Sequence, residues 1–281
     1  MKKILVPTDF SEEAHNAFDV AVMIARNTGA QIKVLHVIEM AETSNFSAMG
    51  VPSSTSNFEQ LYILKLMEQT KIRMRDLLNL AANSGVEITQ EVDVDRLPSK
   101  VQRVVTEENI DLIVMGSKGS SGFEEMLVGS NTEKVVRYAT CPVLTIKHRH
   151  RHFDARNIVF ASDFTNEADK KVETVKYFQQ LFKARLHLLY VNTPGGFGGT
   201  REIQDRLAKF AERNGLQDFT INIYSDTEEE PGIIHFANEI AADLIMLATH
   251  GRTGLSHFFR GSIAEDLINH SYKPVLSFRI S

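Results

Sequence analysis

The sequence predicts an α/β protein made of two tandem open-sheet domains, each a five-stranded parallel sheet with helices on both faces. Three observations predict it. Short runs that are apolar almost throughout, such as Leu112-Ile-Val-Met115, alternate with stretches of helical periodicity, as strands covered on both faces of a parallel sheet do. The pattern occurs twice: Lys3-Ile-Leu-Val-Pro-Thr-Asp9-Phe10-Ser11 aligns with Asn157-Ile-Val-Phe-Ala-Ser-Asp163-Phe164-Thr165, and Asp111-Leu-Ile-Val with Asp243-Leu-Ile-Met. A chain of 281 residues also exceeds the common size of one domain, and each half is long enough to bury a core. The expected division is residues 1–147, a basic linker 148–156, and residues 157–281.

Residues 4–7 read as a short buried strand. Ser11 then caps a helix with Glu12 and Glu13 in its first turn, Ala14, Ala17, Phe18, Ala21 and Ala25 on one face, and Gly29 at its end. Residues 32–38 form the second strand. The Ser-, Thr-, Asn- and Gly-rich stretch 40–58 has no periodicity and reads as a long loop. Residues 59–84 read as a long amphipathic helix closed by Gly85, and 88–94 as the third strand. Pro98 opens the next helix, with Val101, Val104 and Val105 inward. The fourth strand is 112–115, a helix follows at 130–138, and the last strand is 143–146. The second half repeats the strands at 158–161, 186–191, 220–224, 244–248 and 275–278, with a short glycine-rich loop from Pro194 to Thr200 where the first half has its long one.

Composition bounds the function. The net charge of -5 gives no electrostatic reason to expect nucleic acid as a partner. Cys141 is the only cysteine, so one chain holds no disulfide and no thiolate metal cluster, and a reducing compartment fits best. The apolar run after Met1-Lys-Lys is too short for a signal peptide, and no stretch approaches the roughly 20 apolar residues of a membrane span, so a cytoplasmic protein without a membrane partner is expected.

The chemistry centres on Gly116-Ser-Lys-Gly119 and Gly129-Ser130-Asn131. Glycine at 116 and 119 removes the side chains that would hold an anion away from the backbone, and Gly129-Ser130 opens a helix whose free N–H groups attract negative charge. Ser130-Asn-Thr-Glu133 is also a capping box, so Ser130 as a plain helix cap is the competing reading. Recurrence favours a site, because Ala248-Thr-His-Gly251 and Gly261-Ser262 keep the same spacing. In open parallel sheets ligands bind beyond the carboxyl ends of strands where the strand order reverses. Asp9 and Gly116 both end strands on that rim, so Asp9 reads as a base or ribose contact and the glycines as phosphate contacts.

These residues resemble the universal stress protein family in its tandem form, over nearly the whole chain. Gly116, Gly119, Gly129 and Ser130 carry the spacing of its ATP-binding members, and Pro7-Thr8-Asp9-Phe10-Ser11 and Leu35-His36-Val37 look like the same members. The resemblance implies strand order 3-2-1-4-5. It implies that Asp9 and the backbone of Val37 contact adenine or ribose, that Gly116, Gly119, Gly129, Ser130 and Asn131 surround ribose and phosphates, and that Pro7, Thr8 and Met115 belong to the same site. In the second half the matching positions are Asp163, Val191, Gly251, Gly261, Ser262 and Ile263. Ala248 departs from the motif; its methyl group is expected to crowd a nucleotide there, or, being small, to leave binding in weakened form. The resemblance further implies ATP, ADP or AMP as ligand with Mg2+ or Mn2+ on the phosphates, at most slow ATP hydrolysis, and an unidentified protein partner. It also implies pairing of the last strands, 143–146 and 275–278, as an internal pseudo-dimer, with a homodimer as a further option.

Two other readings stand beside it. One is a scaffold that acts through pairing and binds no nucleotide, favoured by Ala248. The other is an adenylating enzyme, which requires a glycine-rich loop directly after the first strand, where Asp9-Phe10-Ser11-Glu12-Glu13 has no glycine. His148-Arg-His-Arg-His152 reads as a solvated basic linker, with three alternating histidines as a lesser metal-binding option. His36, His187 and His235 read as packed or surface residues, Cys141 as core, and Lys118 and Arg252 as loop residues that could reach phosphate.

Overall fold

The computed structural model describes residues 1–39, 55–118, 129–250 and 262–280. The first half runs β1 (Lys3–Pro7), α1 (Glu12–Thr28), β2 (Gln31–Ile38), α2 (Thr55–Leu80), β3 (Ile88–Val94), α3 (Leu97–Glu108), β4 (Leu112–Gly116), α4 (Ser130–Tyr138) and β5 (Val143–Ile146). The second runs β6 (Asn157–Ala161), α5 (Asn166–Asp169), α6 (Val172–Phe182), β7 (Arg185–Asn192), a 3₁₀ turn (Pro194–Gly196), α7 (Thr200–Arg213), β8 (Phe219–Ser225), α8 (Glu229–Glu239), β9 (Leu244–His250), α9 (Ser262–His270) and β10 (Val275–Ile280).

The strands form one ten-stranded sheet in the order β3-β2-β1-β4-β5-β10-β9-β6-β7-β8. Each half therefore has the order 3-2-1-4-5, parallel within itself, and the strand order reverses between β1 and β4 and between β6 and β9. The halves join where β5 and β10 pair antiparallel, with Leu276 opposite Leu144 and Thr145 Oγ1 donating to the Val275 carbonyl at 3.1 Å. That is the pairing of last strands that the resemblance implied.

Alternation of side chains along the strands divides the core in two. One buried cluster, with Ile4, Phe18, Phe160 and Phe210, lies on the side of α1, α2, α6 and α7; the other, with Leu5, Val101, Ile113 and Phe236, lies on the side of α3, α4, α8 and α9. Helix α1 forms where expected because Ser11 accepts from the Ala14 amide at 3.2 Å and Gly29 ends it at φ 70.

The second long helix differs from its expectation at both ends. Helix α2 begins at Thr55, inside the stretch read as loop, and stops at Leu80 rather than 84. Bonds such as Ala81 N–H to Leu78 O and Ser84 N–H to Ala81 O tighten the chain into turns, so Gly85, at φ 73, serves the bend into β3 rather than a helix cap. The rest of the predicted loop, 40–54, lies outside the described residues. The first helix of the second half is also broken, into α5 and α6.

The linker is less solvated than its composition suggests. His148, Arg149, Arg151 and His152 are exposed, but Phe153 and Ala155 are buried in the core on the α1 side, and His150 is half-buried. The alternation of apolar Phe153 and Ala155 with charged neighbours is the strand-like pattern that the dense basic run obscures.

At the β2–β3 edge, Lys33 is paired with Glu91 at 2.6 Å and with Glu108, and Lys100 with Asp93 at 2.6 Å and with Glu91. Burial pushes the Glu91 carboxyl up, but hydrogen bonds from Lys100 and Lys33 outweigh it and hold it below its ordinary value; the bond from Lys100 does the same for Asp93. Burial pulls Lys33 and Lys100 down, and their carboxylate partners more than restore them. Depressed carboxylates stabilise the fold above their unfolded pKa and lose that contribution as pH falls; raised ammonium groups stabilise it below theirs and lose it as pH rises. The network thus contributes fully between roughly pH 5 and 10, between the unfolded carboxylate and lysine values. Thermal melts across pH are expected to show a shallower acid limb for Glu91→Gln than for the parent; identical limbs would remove the network from the account.

Candidate functional site

A crevice of about 920 Å³ opens at the carboxyl ends of β1 and β4, where the strand order of the first half reverses. The turn after β1 forms one wall. The Thr8 amide extends the β1–β2 ladder to the Leu35 carbonyl at 2.8 Å, Thr8 Oγ1 accepts from the Phe10 amide at 3.1 Å, and Asp9 Oδ1 accepts from the Ser11 amide at 3.0 Å. These bonds hold Phe10 in the left-handed region at φ 64, which a bulky side chain rarely adopts. Its counterpart Phe164 has φ 54, so the turn is repeated in the second half.

The opposite wall is the end of β4 and the start of α4. The Gly129 amide donates to the Ser117 carbonyl at 3.1 Å and Thr132 Oγ1 to the Gly116 carbonyl at 3.0 Å, tying helix to strand. Gly129, not Ser130, is the N-cap, with no side-chain cap bond. The capping-box reading therefore fails: Ser130 is already the first helical residue, too far along to serve as the cap. The first-turn amides of α4 lack intrahelical acceptors and Ser130 and Asn131 line the crevice, a fit for an anion such as phosphate.

Gly116 has a packing role as well. A Cβ there would lie 2.9 Å from the backbone carbon of Glu13 and 3.0 Å from the Ala14 nitrogen, so the missing side chain is required by the approach of α1. Ala248, its counterpart, is fully buried in the apolar cluster on the same face of the sheet. Its methyl group packs in that core.

Of the expected first-half residues, Pro7, Thr8, Asp9, Val37, Met115, Gly116, Gly129, Ser130 and Asn131 all line this one crevice. Gly119 lies outside the described residues. Lys118 also lines it, and half-buried Lys147 is held below the ordinary lysine value by burial and then by Lys118.

Several lining residues were not anticipated. His36 Nδ1 sits 2.7 Å from the Thr8 carbonyl, which fixes Nδ1 as the donor and leaves Nε2 an acceptor. Burial pulls the imidazole below its ordinary pKa, partly offset by that bond and by Asp9, and its ring lies 4.8 Å from that of Phe10. A histidine inside an otherwise apolar strand end was the available signal. Glu39 Oε1 accepts from the Leu97 amide at 2.8 Å and Oε2 from Asn131 Nδ2 at 3.2 Å, joining β2, α3 and α4 across the crevice. Leu66, Thr70 and Arg73 of α2 close the remaining side, with Arg73 over the Phe10 ring at 5.8 Å.

The second switch point has its own set of contacts among the described residues. Asp163 is buried, its Oδ1 accepting from Thr165 N and Oγ1, both at 3.1 Å, while Arg206 donates to its carbonyl at 3.2 Å and lies over the Tyr190 ring at 5.3 Å. A cavity of about 10 Å³ remains beside Val191 and Ile263. Gly232 of α8 lets that helix press on β7, since a Cβ would stand 2.5 Å from Val191 Cγ1. Ser262 begins α9; Gly251, Arg252 and Gly261 lie outside the described residues.

The remaining candidates are structural. His187 Nδ1 meets Thr220 Oγ1 at 2.9 Å and His235 Nδ1 meets Asp226 at 2.7 Å. Burial pushes the Cys141 thiol up to about 12, so it stays protonated and inert. Among the described residues no group of three or more His, Cys, Asp and Glu is placed to hold a metal ion, the linker histidines included.

Two repeats of one open α/β fold, the first with a crevice at its switch point, define a tandem open-sheet α/β architecture. The sequence model of the universal stress protein family matches residues 1–147 and 155–279, and the chain belongs to that family. It is 31% identical over 156 residues to universal stress protein MJ0577 of Methanocaldococcus jannaschii, covering 53% of this chain and 96% of that protein. It is 25% identical over 303 aligned positions to universal stress protein Slr1230 of Synechocystis, covering 99% of this chain and all of that one. The fold matches the crystal structure of a universal stress protein from Archaeoglobus fulgidus with a TM-score of 0.73 at 23% identity, over 99% of this chain and 96% of that one.

Proposed function

We propose that the first-half crevice binds an adenine nucleotide, ATP, ADP or AMP, and that occupancy regulates the surface this stress protein presents to a protein partner. The observation that carries this reading is the convergence in one 920 Å³ crevice of Asp9, Val37, Gly116 and Gly129 to Asn131, which are scattered over more than a hundred residues of sequence. Asp9 is suited to ribose or base, the α4 amides and Ser130 to phosphates, and the apolar faces of Val37, Met115 and Leu97 to a flat ring. In this reading Mg2+ or Mn2+ is held by the phosphates themselves. In this reading hydrolysis is at most slow, and the protein acts as a switch through occupancy. A cytoplasmic role belongs to this reading; among the described residues no helix is long and apolar enough to cross a membrane.

The second-half residues Asp163, Val191, Ala248, Gly251, Gly261, Ser262 and Ile263 form a further candidate site, in which Ala248 stands where the motif has glycine. A scaffold reading is favoured by the β5–β10 pairing, which makes one continuous sheet from two domains without any ligand.

Calorimetric titration of ATP, ADP and AMP into nucleotide-stripped protein decides between them. One site is expected, weakened at least tenfold by Gly129→Val, because a branched side chain at the N-cap blocks approach to the helix amides. A second site lost in Gly261→Val would add the second half. No binding in the parent protein would leave the scaffold reading.

A further inference from the structure

A second groove, away from the nucleotide crevice, is built by the linker that joins the halves. The linker is pinned at both ends. His148 stacks on the Tyr272 ring at 5.3 Å, while Phe153 is buried, its amide 3.2 Å from Met23 Sδ and its ring edge-on to Phe182 at 5.4 Å. The segment between, Arg149 to Arg151, is thereby held against the outer face of α1 and the turns that follow α2. The groove, open to solvent, has a volume of about 560 Å³, within the range of small-molecule sites.

Its lining has two characters. Phe18, Val22, Met23 and Ala81 make an apolar floor with exposed Leu80 at its rim, and Arg26, Arg149 and Arg151 stand around it, with Asp19, the one lining carboxylate, interacting with Arg149. This excess of positive charge sits on a chain whose net charge is -5. Guanidinium groups favour phosphate and carboxylate through paired N–H donors and are weakly hydrated, so they serve next to apolar surface where ammonium groups do not. His150, beside them, is held below its ordinary pKa by burial and adds little charge at neutral pH.

We propose that this groove binds a small amphipathic anion, an organic phosphate or carboxylate with an apolar body, independently of the crevice. The head group lies among the three arginines and the body on the α1 floor. Because the linker forms one wall, occupancy bears on the connection between the halves.

The test uses octyl phosphate and octanoate, below their micellar concentrations, titrated calorimetrically into the full chain without and with ATP. Either is expected to bind at least tenfold more tightly than inorganic phosphate or octanol, since both parts of the ligand are engaged. Arg26→Gln with Arg151→Gln is expected to weaken binding at least tenfold at unchanged melting temperature, and Val22→Glu to do the same by placing a carboxylate in the floor. Gly129→Val is expected to leave it unchanged. Displacement of the probe by ATP, equal affinity for octanol, or indifference to the arginine and Val22 variants would each overturn the proposal.

Discussion

A Phe160→Ala chain is expected to lose about 3–5 kcal/mol of stability, the range for deleting a large buried aromatic side chain. Phe160 is completely buried on β6, with ring centroids of Phe164, Phe210 and Phe278 at 5.7, 6.1 and 6.2 Å. Those neighbours come from the turn after β6, from α7 and from β10, so the void opens where strand, helix and the neighbouring edge of the second-half sheet meet. Rigid strands on two sides prevent collapse into it. Denaturant unfolding followed by circular dichroism measures the loss, and a cost below about 1 kcal/mol, the scale of a tolerated core swap, would show that the cluster repacks freely.

The second large effect is expected at Gly116. In Gly116→Ala the new methyl group meets backbone atoms of Glu13 and Ala14 at 2.9 to 3.0 Å, contacts that no side-chain rotation relieves. Helix α1 must move, at about 1–3 kcal/mol for an overpacked site. Its N-cap Ser11 follows directly on Asp9 and Phe10, so the same shift distorts the crevice wall. Stability and ATP affinity are therefore expected to fall together. The reciprocal change, Ala248→Gly, removes a methyl from a well-filled place and frees the backbone, costing roughly 0.5–1 kcal/mol with no effect on first-half binding. Equal tolerance of alanine at 116 and 248 in melting and binding would mean that α1 accommodates the added methyl group.

Much of the molecule was legible in its residues. Strands β1, β4, β5 and β6 are short apolar runs whose pattern fits no exposed element, and their limits fell within a residue of the expected ones. Helix α1 announced both ends through Ser11 and Gly29, because capping is a local interaction. The repeat of Asp9 and Gly116 in Asp163 and Ala248 gave the two-domain form, and the spacing of Gly116, Gly129 and Ser130 gave one wall of the crevice. All of these signals lie within a few residues of the atoms that they control.

What local signals missed depends on residues far apart in sequence. The limits of α2 were misjudged because its polar residues face the crevice and the solvent while Met74 and Leu77 face the core, leaving no clean apolar stripe. Glu39 bridges Leu97 and Asn131, and nothing near Glu39 in the sequence marks it. Ala248 looked like damage to a binding motif, yet its methyl group lies in a core that only the packing of two layers creates. The linker read as solvated because charge dominates its composition, and Phe153 is buried because β6 must begin beside α1 and α6. Amino-acid order fixed the secondary elements and the chemistry at the strand ends, through local hydrogen bonds and hydrophobic period; the shape of each crevice followed from how helices crossing distant strands came to rest on the sheet.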